Sequence, residues 1–224
     1  MLKILSVPIL LGVTAGYVDP ASFVALHGLF TSHVTGNFVT IGAALVFGTT
    51  GVVTKLLALP TFCVVVLLLR LLHYRLVDRS WPVLKTFLGL QILLLGLGAV
   101  LAIRHGSFSK GDDLAAMITG LVLVAGMAVQ NALQRVHLSG MPPTTIMTGT
   151  TTQIMLDLGD LVLKTDEGQK DVLYARLTRM GQVVLAFASG CALAALLYTT
   201  LGMWCFALPP LLVLGAYLHG GDNT

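Results

Sequence analysis

The sequence predicts an all-α integral membrane protein with six transmembrane helices and two short re-entrant half-helices, arranged as two inverted repeats. Three observations predict this fold. The chain of 224 residues is 56% hydrophobic and only 10% charged, whereas soluble domains carry about a quarter charged residues. Six apolar runs approach the roughly 20 residues that a membrane helix needs. A short polar motif also occurs twice, once in each half of the chain.

The apolar runs divide evenly between the two halves. The first, 4–30, contains Asp19-Pro20, which we expect to interrupt its helix. Its start resembles a signal peptide, but the apolar stretch continues past Ala15, so we predict an uncleaved first helix. The runs 56–76 and 83–103 complete the first repeat, assigned to residues 1–108; the runs 114–133, 180–197 and 200–218 belong to the second repeat, assigned to residues 109–224.

Two further apolar segments are too short to cross a membrane. Segment 35–47 has 13 residues, which is about 20 Å of helix at a rise of about 1.5 Å per residue. The hydrocarbon core is about 30 Å thick. Segment 150–163 is of similar length and contains Asp157 and Asp160, which we expect near the cytoplasmic face. We predict that both segments are half-helices that enter the membrane and turn back.

The basic residues support this topology. If neither short segment crosses and both termini are cytoplasmic, most basic residues lie inside and only Lys55, Arg104 and Lys110 lie outside, as the positive-inside rule requires. Three crossings per half then place the two repeats in opposite orientations. The charged segment 164–179 is predicted on the cytoplasmic surface, as a solvated loop, which we favour, or an amphipathic helix. The residues assigned to the inside are Lys3, Arg75, Arg79, Lys85, Arg135, Lys164, Lys170, Arg176 and Arg179, while Arg70 lies within a span and is expected to extend to the inner interface.

Polar motifs open the two short segments. The first is Ser-His-Val-Thr-Gly-Asn at 32–37, and the second is Thr-Thr-Ile-Met-Thr-Gly-Thr-Thr-Thr-Gln at 144–153. The pair Thr35-Gly36 recurs as Thr148-Gly149, each followed by an isoleucine at the same distance. A glycine lets a ligand approach the backbone closely. The N-terminus of a helix offers unpaired N–H groups and a partial positive charge, which favour an anion.

Other polar residues at membrane depth accompany the motifs. Asp19 is ionisable within an apolar run, and such residues are usually functional. Gln130-Asn131 occupies the corresponding place in the second half, where hydrogen bonding between helices is the alternative role. His33 can hydrogen-bond or couple transport to pH. For either motif alone, close helix packing is the alternative. The predicted substrate-binding residues are Asp19, His33, Thr35, Gly36, Asn37, Gln130, Asn131, Thr148, Gly149 and Thr150.

No enzyme activity, cofactor or metal site is predicted. The sequence contains no Gly-x-Ser-x-Gly, His-Glu-x-x-His or nucleotide-binding glycine loop. The three cysteines lack metal-type spacing and are interpreted as small buried hydrophobic residues. The net charge of +3 resides in membrane-flanking loops, so no nucleic-acid partner is predicted. The predicted partners are the lipid bilayer, a small polar or anionic solute and a second copy of the chain in a homodimer.

The stretch Ala-Gly-Tyr-Val-Asp-Pro-Ala-Ser-Phe at 15–23, followed by His-Val-Thr-Gly-Asn at 33–37, resembles the YoaK family of bacterial membrane proteins. That family shows a Gly-Tyr-Val-Asp-Ala-like stretch and then a Ser-His-Met-Thr-Gly-Asn-like motif. Pro20 stands where the family often has Ala, and Val34 where it often has Met. The resemblance covers essentially the whole chain and implies a bacterial inner-membrane protein, with no substrate named. At the level of fold, the arrangement is similar to uracil and sulfate permeases, in which two half-helices face each other across a substrate.

These observations lead us to expect a secondary transporter of a small polar, anionic solute. The solute would bind at the midplane between the N-termini of the two half-helices, and one repeat would move against the other. One alternative is a channel of the same architecture whose half-helices form a fixed filter. Another is a structural or sensory membrane protein whose motifs only pack helices.

Overall fold

The computed structural model describes residues 7–163 and 167–220, and this part of the chain is helical without a β-strand. Five helical segments in it are long and apolar enough to cross a membrane, the last being the continuous stretch Lys170–His219. The predicted all-α fold is thereby confirmed, and the five long apolar segments are compatible with a membrane protein. The α-helices are α1 (Val7–Ala25), α2 (Gly36–Phe47), α3 (Val52–Asp78), α4 (Val83–His105), α5 (Leu114–Val136), α6 (Met147–Leu163), α7 (Glu167–Leu201) and α8 (Leu208–His219), and a 3-10 helix, Gly202–Ala207, joins α7 to α8.

The predicted interruption at Asp19-Pro20 does not occur. Helix α1 continues through Pro20 to Ala25. Proline is tolerated inside membrane helices where neighbouring helices and hydroxyl side chains support the backbone. Here Ser22 donates a hydrogen bond to the carbonyl of Val18, and most of α1 is buried against other helices.

The charged segment 164–179 also differs from the favoured expectation of a solvated loop. From Glu167 onward the chain is helical, as the first part of α7. A helix of 35 residues is about 52 Å long, so it extends well beyond a hydrocarbon core of about 30 Å. The predicted positions of Lys3, Lys164 and the chain termini fall on residues 1–6, 164–166 and 221–224, which lie outside the described residues.

The final apolar run is split between two kinds of helix. Gly202 has a φ of +56°, a conformation that favours glycine, and the chain reverses there after α7. The six residues of 3-10 helix and the 12 residues of α8 together span about 30 Å, at rises of about 2.0 Å and 1.5 Å per residue. This length matches the hydrocarbon core.

The helix packing has a regular pattern. Helix α1 packs against α7 and α8, and α5 packs against α3 and α4. The short helix α2 packs on α3, and the short helix α6 packs on α7. The same packing pairs result when α1, α2, α3 and α4 are exchanged with α5, α6, α7 and α8, respectively.

The relative directions of the helices also correspond between the two halves of the chain. Helices α1 and α5 run in opposite directions, because Leu11 lies beside Gln130 whereas Leu26 lies beside Gly120. Helix α7 runs parallel to α1, with Gly12 next to Val183 and Gly16 next to Phe187. Helix α3 likewise runs parallel to α5, because Thr54 lies beside Gly120 whereas Arg70 and Arg135 line one cavity. Helix α8 runs antiparallel to α1, because Tyr17 bonds to Cys205 just before α8 whereas Leu10 lies beside Gly215. Helix α4 runs antiparallel to α5, because Gln91 lies beside Gln130 whereas Gly98 lies beside Leu123.

The connections between helices define two faces of the molecule. On one, the Asp112 face, Gly51 meets Gly111 and the His27 ring is 3.0 Å from the carbonyl oxygen of Phe108. On the other, the Arg79 face, the turn at 79–82 is followed by Lys85, which shares a crevice with His137 and Gly220. Arg179 shares a second crevice on this face with Pro8 and Met141.

Candidate functional site

The Asp19 carboxylate organises the polar loop that leads into α2. It is 3% exposed. Its Oδ1 accepts hydrogen bonds from the backbone N–H of Thr31 (2.9 Å), the hydroxyl of Thr31 (3.0 Å) and the N–H of Ser32 (2.7 Å). Its Oδ2 accepts from the N–H of His33 at 3.2 Å and lies 2.5 Å from Nδ1 of the same residue. A carboxylate with this many protein donors fixes the loop in place.

Asn37 has a structural role of the same kind. Its amide nitrogen donates to the carbonyl of Phe30, and its amide oxygen accepts from the N–H of Phe30, both at 2.8 Å. The first N–H groups of α2 are also engaged: Gly36, Asn37 and Phe38 donate to loop carbonyls at 2.8, 3.2 and 3.2 Å. The helix N-terminus at the first motif is therefore already saturated by the protein.

The second half has a corresponding cluster around Gln130, which is fully buried. Its amide nitrogen donates to the carbonyl of Leu11 at 2.8 Å and to the hydroxyl of Thr144 at 3.0 Å. Its amide oxygen accepts from Gln91 at 2.8 Å. The neighbouring Asn131 accepts a hydrogen bond from the hydroxyl of Thr145 at 2.8 Å.

The two clusters have the same spacing between a threonine and the motif glycine. This spacing is present in the sequence, but we did not predict its role. Thr31 lies five residues before Gly36, and Thr144 lies five residues before Gly149. Each threonine hydroxyl bonds to a polar side chain of the preceding long helix, Asp19 or Gln130. The predicted correspondence between Asp19 and Gln130-Asn131 therefore has a physical counterpart. Gln91, a further member, gave no signal because it is a single amide within an apolar run.

The start of α6 differs from that of α2. Thr148 and Gly149 are exposed. Within the described residues, the N–H groups of Met147, Thr148 and Gly149 donate to no protein acceptor. Thr150 is buried, and its hydroxyl donates to the carbonyl of Ile146 at 2.9 Å. Unpaired N–H groups at the start of a 17-residue helix favour an anion, and among the two motifs only the second offers them.

Two cavities adjoin the two clusters. The His33 cavity, of about 560 Å³, lies between α1 and α7 and is lined by residues including Asp19, Phe30, His33 and Phe187. The Arg135 cavity, of about 570 Å³, lies between α5 and α3. The two cavities occupy equivalent positions in the two halves of the chain, because α1 corresponds to α5 and α7 corresponds to α3. The Arg135 cavity is lined by Phe62, Val66, Arg70, Asn131, Ala132, Arg135, Val136 and Ile146.

The structure does not bring the two motifs together around one cavity. Leu11, which contacts Gln130, is eight residues from Asp19 along α1, a separation of about 12 Å. Among the described residues, α2 and α6 do not contact each other. The predicted residues Asp19, His33 and Gly36 border the His33 cavity, Asn131 borders the Arg135 cavity, and Thr148 lines a shallow surface groove with Met147.

An ion pair holds α6 against α7. Arg176 Nε and Nη2 lie 2.7 and 2.5 Å from the two oxygens of Asp157, and Gln153 donates to the same carboxylate at 2.7 Å. Asp157 is completely buried, and the prediction that it lies near the cytoplasmic face stays a prediction. A buried carboxylate requires a charged partner, and the first helical turns of α7 supply it.

Replacing Gln130 with leucine should destabilise the protein by about 2 kcal/mol, because Gln91 and Thr144 would lose their partner in the core. The double variant Gln91→Leu/Gln130→Leu should recover most of that loss, since two apolar groups of similar shape leave fewer buried polar atoms unpaired. Unfolding titrations in mixed micelles measure both effects. A double variant less stable than Gln130→Leu alone would contradict this account of the cluster.

Asp112 anchors the loop on the Asp112 face to the start of α3. Its carboxylate accepts from the N–H groups of Gly51 (2.8 Å) and Thr54 (3.0 Å). Burial raises the pKa of this carboxyl, but the hydrogen bonds from Thr54 and Gly51 outweigh it, so the pKa of Asp112 lies below its usual value. A carboxyl with a depressed folded-state pKa stabilises the protein above its unfolded pKa, about 3.9, and loses this effect as the pH falls through the folded value.

The stability difference between the wild type and Asp112→Asn should therefore be present at pH 7 and disappear towards pH 2. Thermal unfolding followed across this range measures it. The matched control is Asp113→Asn, because Asp113 lies on the same loop and, among the described residues, its carboxylate accepts a side-chain hydrogen bond only from Ser109, at 3.0 Å. A difference that is the same at both pH values would rule out the role assigned to the Asp112 carboxylate.

Comparison with known proteins identifies the family of the chain. No curated protein and no solved structure matches the sequence. A family model described as protein of unknown function, DUF1275, matches residues 7–219. The YoaK family, which residues 15–37 resemble, is a member of DUF1275. Because the match extends over nearly the whole chain, this membrane protein belongs to the DUF1275 family.

Proposed function

We propose that this protein is a secondary transporter of a small polar, anionic solute in the bacterial inner membrane. The observation that carries the proposal is the pair of cavities, one in each half, each bordered by the polar loop that precedes a short helix. Transport would proceed by movement of one half against the other, so that the two cavities open in turn.

The helix arrangement supports two inverted repeats, residues 1–108 and 109–224. Exchange of the halves preserves the packing of α1 on α7 and α8, of α5 on α3 and α4, and of α2 and α6 on α3 and α7, and α1 and α5 run in opposite directions. It also supports re-entrant short helices. The loop before α2 reaches Asp19, which is six residues, or about 9 Å, below the end of α1 at Ala25. The chain then returns to the Asp112 face, where Gly51 meets Gly111.

Charge supports an orientation with the Arg79 face in the cytoplasm. Arg79, Lys85 and Arg179 lie on this face, beside the crevices described above. Cytoplasmic loops carry an excess of lysine and arginine. In this orientation both termini are cytoplasmic, and the loop that carries Asp112 is periplasmic.

The anionic character of the solute is supported chiefly by the second half. The Arg135 cavity is lined by two arginines and no carboxylate. Ile146, which also lines it, immediately precedes the unpaired N–H groups at the start of α6. We therefore place the solute site in the Arg135 cavity in this conformation and in the His33 cavity in the opposite one, instead of at a single midplane point.

Uptake into proteoliposomes tests the proposal. Radiolabelled formate, acetate, sulfate and phosphate serve as probes, and counterflow separates a transporter from a channel, since only a carrier exchanges label against a gradient. The informative variant is Gly149→Val, because a Cβ at Gly149 meets only Ile146, at 3.8 Å. Gly42→Val, on α2, is the matched control, with no neighbour within 4 Å of the new Cβ.

We expect saturable uptake with counterflow for at least one probe, loss of it in Gly149→Val, and retention in Gly42→Val. Non-saturating flux without counterflow would favour the channel of the same architecture. Unchanged flux in a folded Gly149→Val protein would contradict a role for the second motif.

A further inference from the structure

We infer that Arg70 and Arg135 form an oxyanion-binding pair in the Arg135 cavity. This inference rests on the proposed function, because it names the groups that would recognise the anionic solute. Both arginines line the same cavity of about 570 Å³. One comes from α3 and the other from α5, so each half of the chain contributes one cation.

Among residues 7–163 and 170–220, no carboxylate forms an ion pair with either guanidinium group. Arg135 makes no hydrogen bond or ion pair with any described residue. Arg70 donates, among the described residues, only to the hydroxyl of Tyr74, at 2.8 Å, and its guanidinium lies 4.4 Å from the centre of that ring. Arg176, by contrast, is held by the two oxygens of Asp157. In the described part of the chain, the arginine with a structural role is paired with a carboxylate, and the two arginines of the cavity are not.

The chemistry of the cavity specifies the ligand class. Guanidinium remains charged at any physiological pH and presents a planar fork of donors that matches a carboxylate or a phosphate. Phe62, Val66 and Ala132 form apolar walls beside it, and a weakly polarisable surrounding strengthens such an interaction. Asn131 adds a polar group to the same wall. The expected ligand group is therefore an oxyanion, carried by a free solute or by an anionic lipid.

The test measures the charge selectivity of the cavity at a single introduced cysteine. Ile146→Cys is placed in the full chain with Cys63→Ser, Cys191→Ala and Cys205→Ala, in nanodiscs of phosphatidylcholine. Ile146 is 43% exposed and lines the cavity. The cysteine is modified with an anionic and with a cationic methanethiosulfonate. Each rate is divided by the rate of the same reagent with a small free thiol, which corrects for the intrinsic reactivity of the reagent. We expect the anionic reagent to be favoured, and this preference to fall roughly tenfold in Arg135→Gln and in Arg70→Gln.

Arg104→Gln is the matched control, because Arg104 is an exposed arginine near the end of α4 on the Asp112 face, and it should leave the preference unchanged. A second arm measures protection of the same cysteine from the neutral reagent N-ethylmaleimide. At constant ionic strength, acetate or inorganic phosphate should slow the reaction several-fold, and Arg135→Gln should abolish this protection. Protection by phosphatidylglycerol alone would support the pair but assign its ligand to the lipid.

Unchanged charge preference in both cavity variants, or protection by no oxyanion, would overturn the inference. The outcome is separable from that of the proposed function. Protection without uptake of any probe would leave the oxyanion site standing and remove the transport proposal. Uptake that persists in a variant lacking both arginines would remove the site and leave transport standing.

Discussion

Replacement of Asp19 with alanine is expected to unfold the loop that leads into α2 and to lower the free energy of unfolding by roughly 3–5 kcal/mol. The carboxylate accepts the backbone N–H groups of three consecutive loop residues, Thr31, Ser32 and His33. Without it these donors would remain buried with no acceptor, and buried unpaired polar groups are costly in a membrane. Unfolding in mixed micelles measures the loss.

Asp19→Asn is the informative companion variant. The asparagine side chain keeps Oδ1, which accepts three hydrogen bonds from Thr31 and Ser32. Its amide NH₂ replaces Oδ2, which in the wild type faces the N–H and Nδ1 of His33. We expect an intermediate stability, since part of the acceptor set survives. If Asp19→Ala were as stable as the wild type, the carboxylate would not be what holds the loop.

Gly190→Ala is expected to cost roughly 3 kcal/mol or more, because helices α1 and α7 would have to separate. A Cβ at Gly190 would lie 2.3 Å from the carbonyl oxygen of Val13 and 3.0 Å from the backbone nitrogen of Tyr17. Both obstacles are backbone atoms, which no rotamer change can move. Close approach of small residues is a usual way for membrane helices to associate.

Gly181→Ala on the same helix is the matched control, since its new Cβ has no neighbour within 4 Å. Alanine is also the better helix former by up to about 1 kcal/mol, so this variant should be as stable as the wild type or slightly more stable. Thermal unfolding of the two purified variants in the same detergent gives the comparison. Equal stability of Gly190→Ala and Gly181→Ala would show that α1 and α7 do not pack as closely as described.

Sequence alone predicted the long helices well, because a bilayer imposes a local rule on each span. Runs such as 83–103 and 114–133 need only be apolar and long enough, and the structure extends them by a few residues to α4 and α5. The helix at the start of α7 was predicted only as the alternative to a solvated loop, because its first turns are charged and hydropathy detects only apolar segments. The helix break predicted at Pro20 does not occur, because neighbouring helices support the backbone there.

The polar residues were located correctly but their partners could not be read from the sequence. Asp19 was expected to contact a solute, yet its oxygens are occupied by the loop of its own half. Such pairing depends on how the loop folds back onto α1, which no local pattern encodes. The recurring threonine five residues before each motif glycine was the one available signal. Arg135 was interpreted only as a topology charge, because its place in a cavity depends on α3 packing against α5.

Alternate opening of the two cavities is proposed, and cross-accessibility of cysteines tests it most directly. Native Cys191 lines the His33 cavity, and Ile146→Cys reports on the Arg135 cavity. With Cys63 and Cys205 replaced, a bulky impermeant maleimide applied from the cytoplasmic side wedges the Arg135 cavity open at residue 146. The account predicts that Cys191 then reacts several-fold more slowly with a thiol reagent applied from the periplasmic side, because the His33 cavity is held closed. An unchanged rate at Cys191 would contradict alternating access.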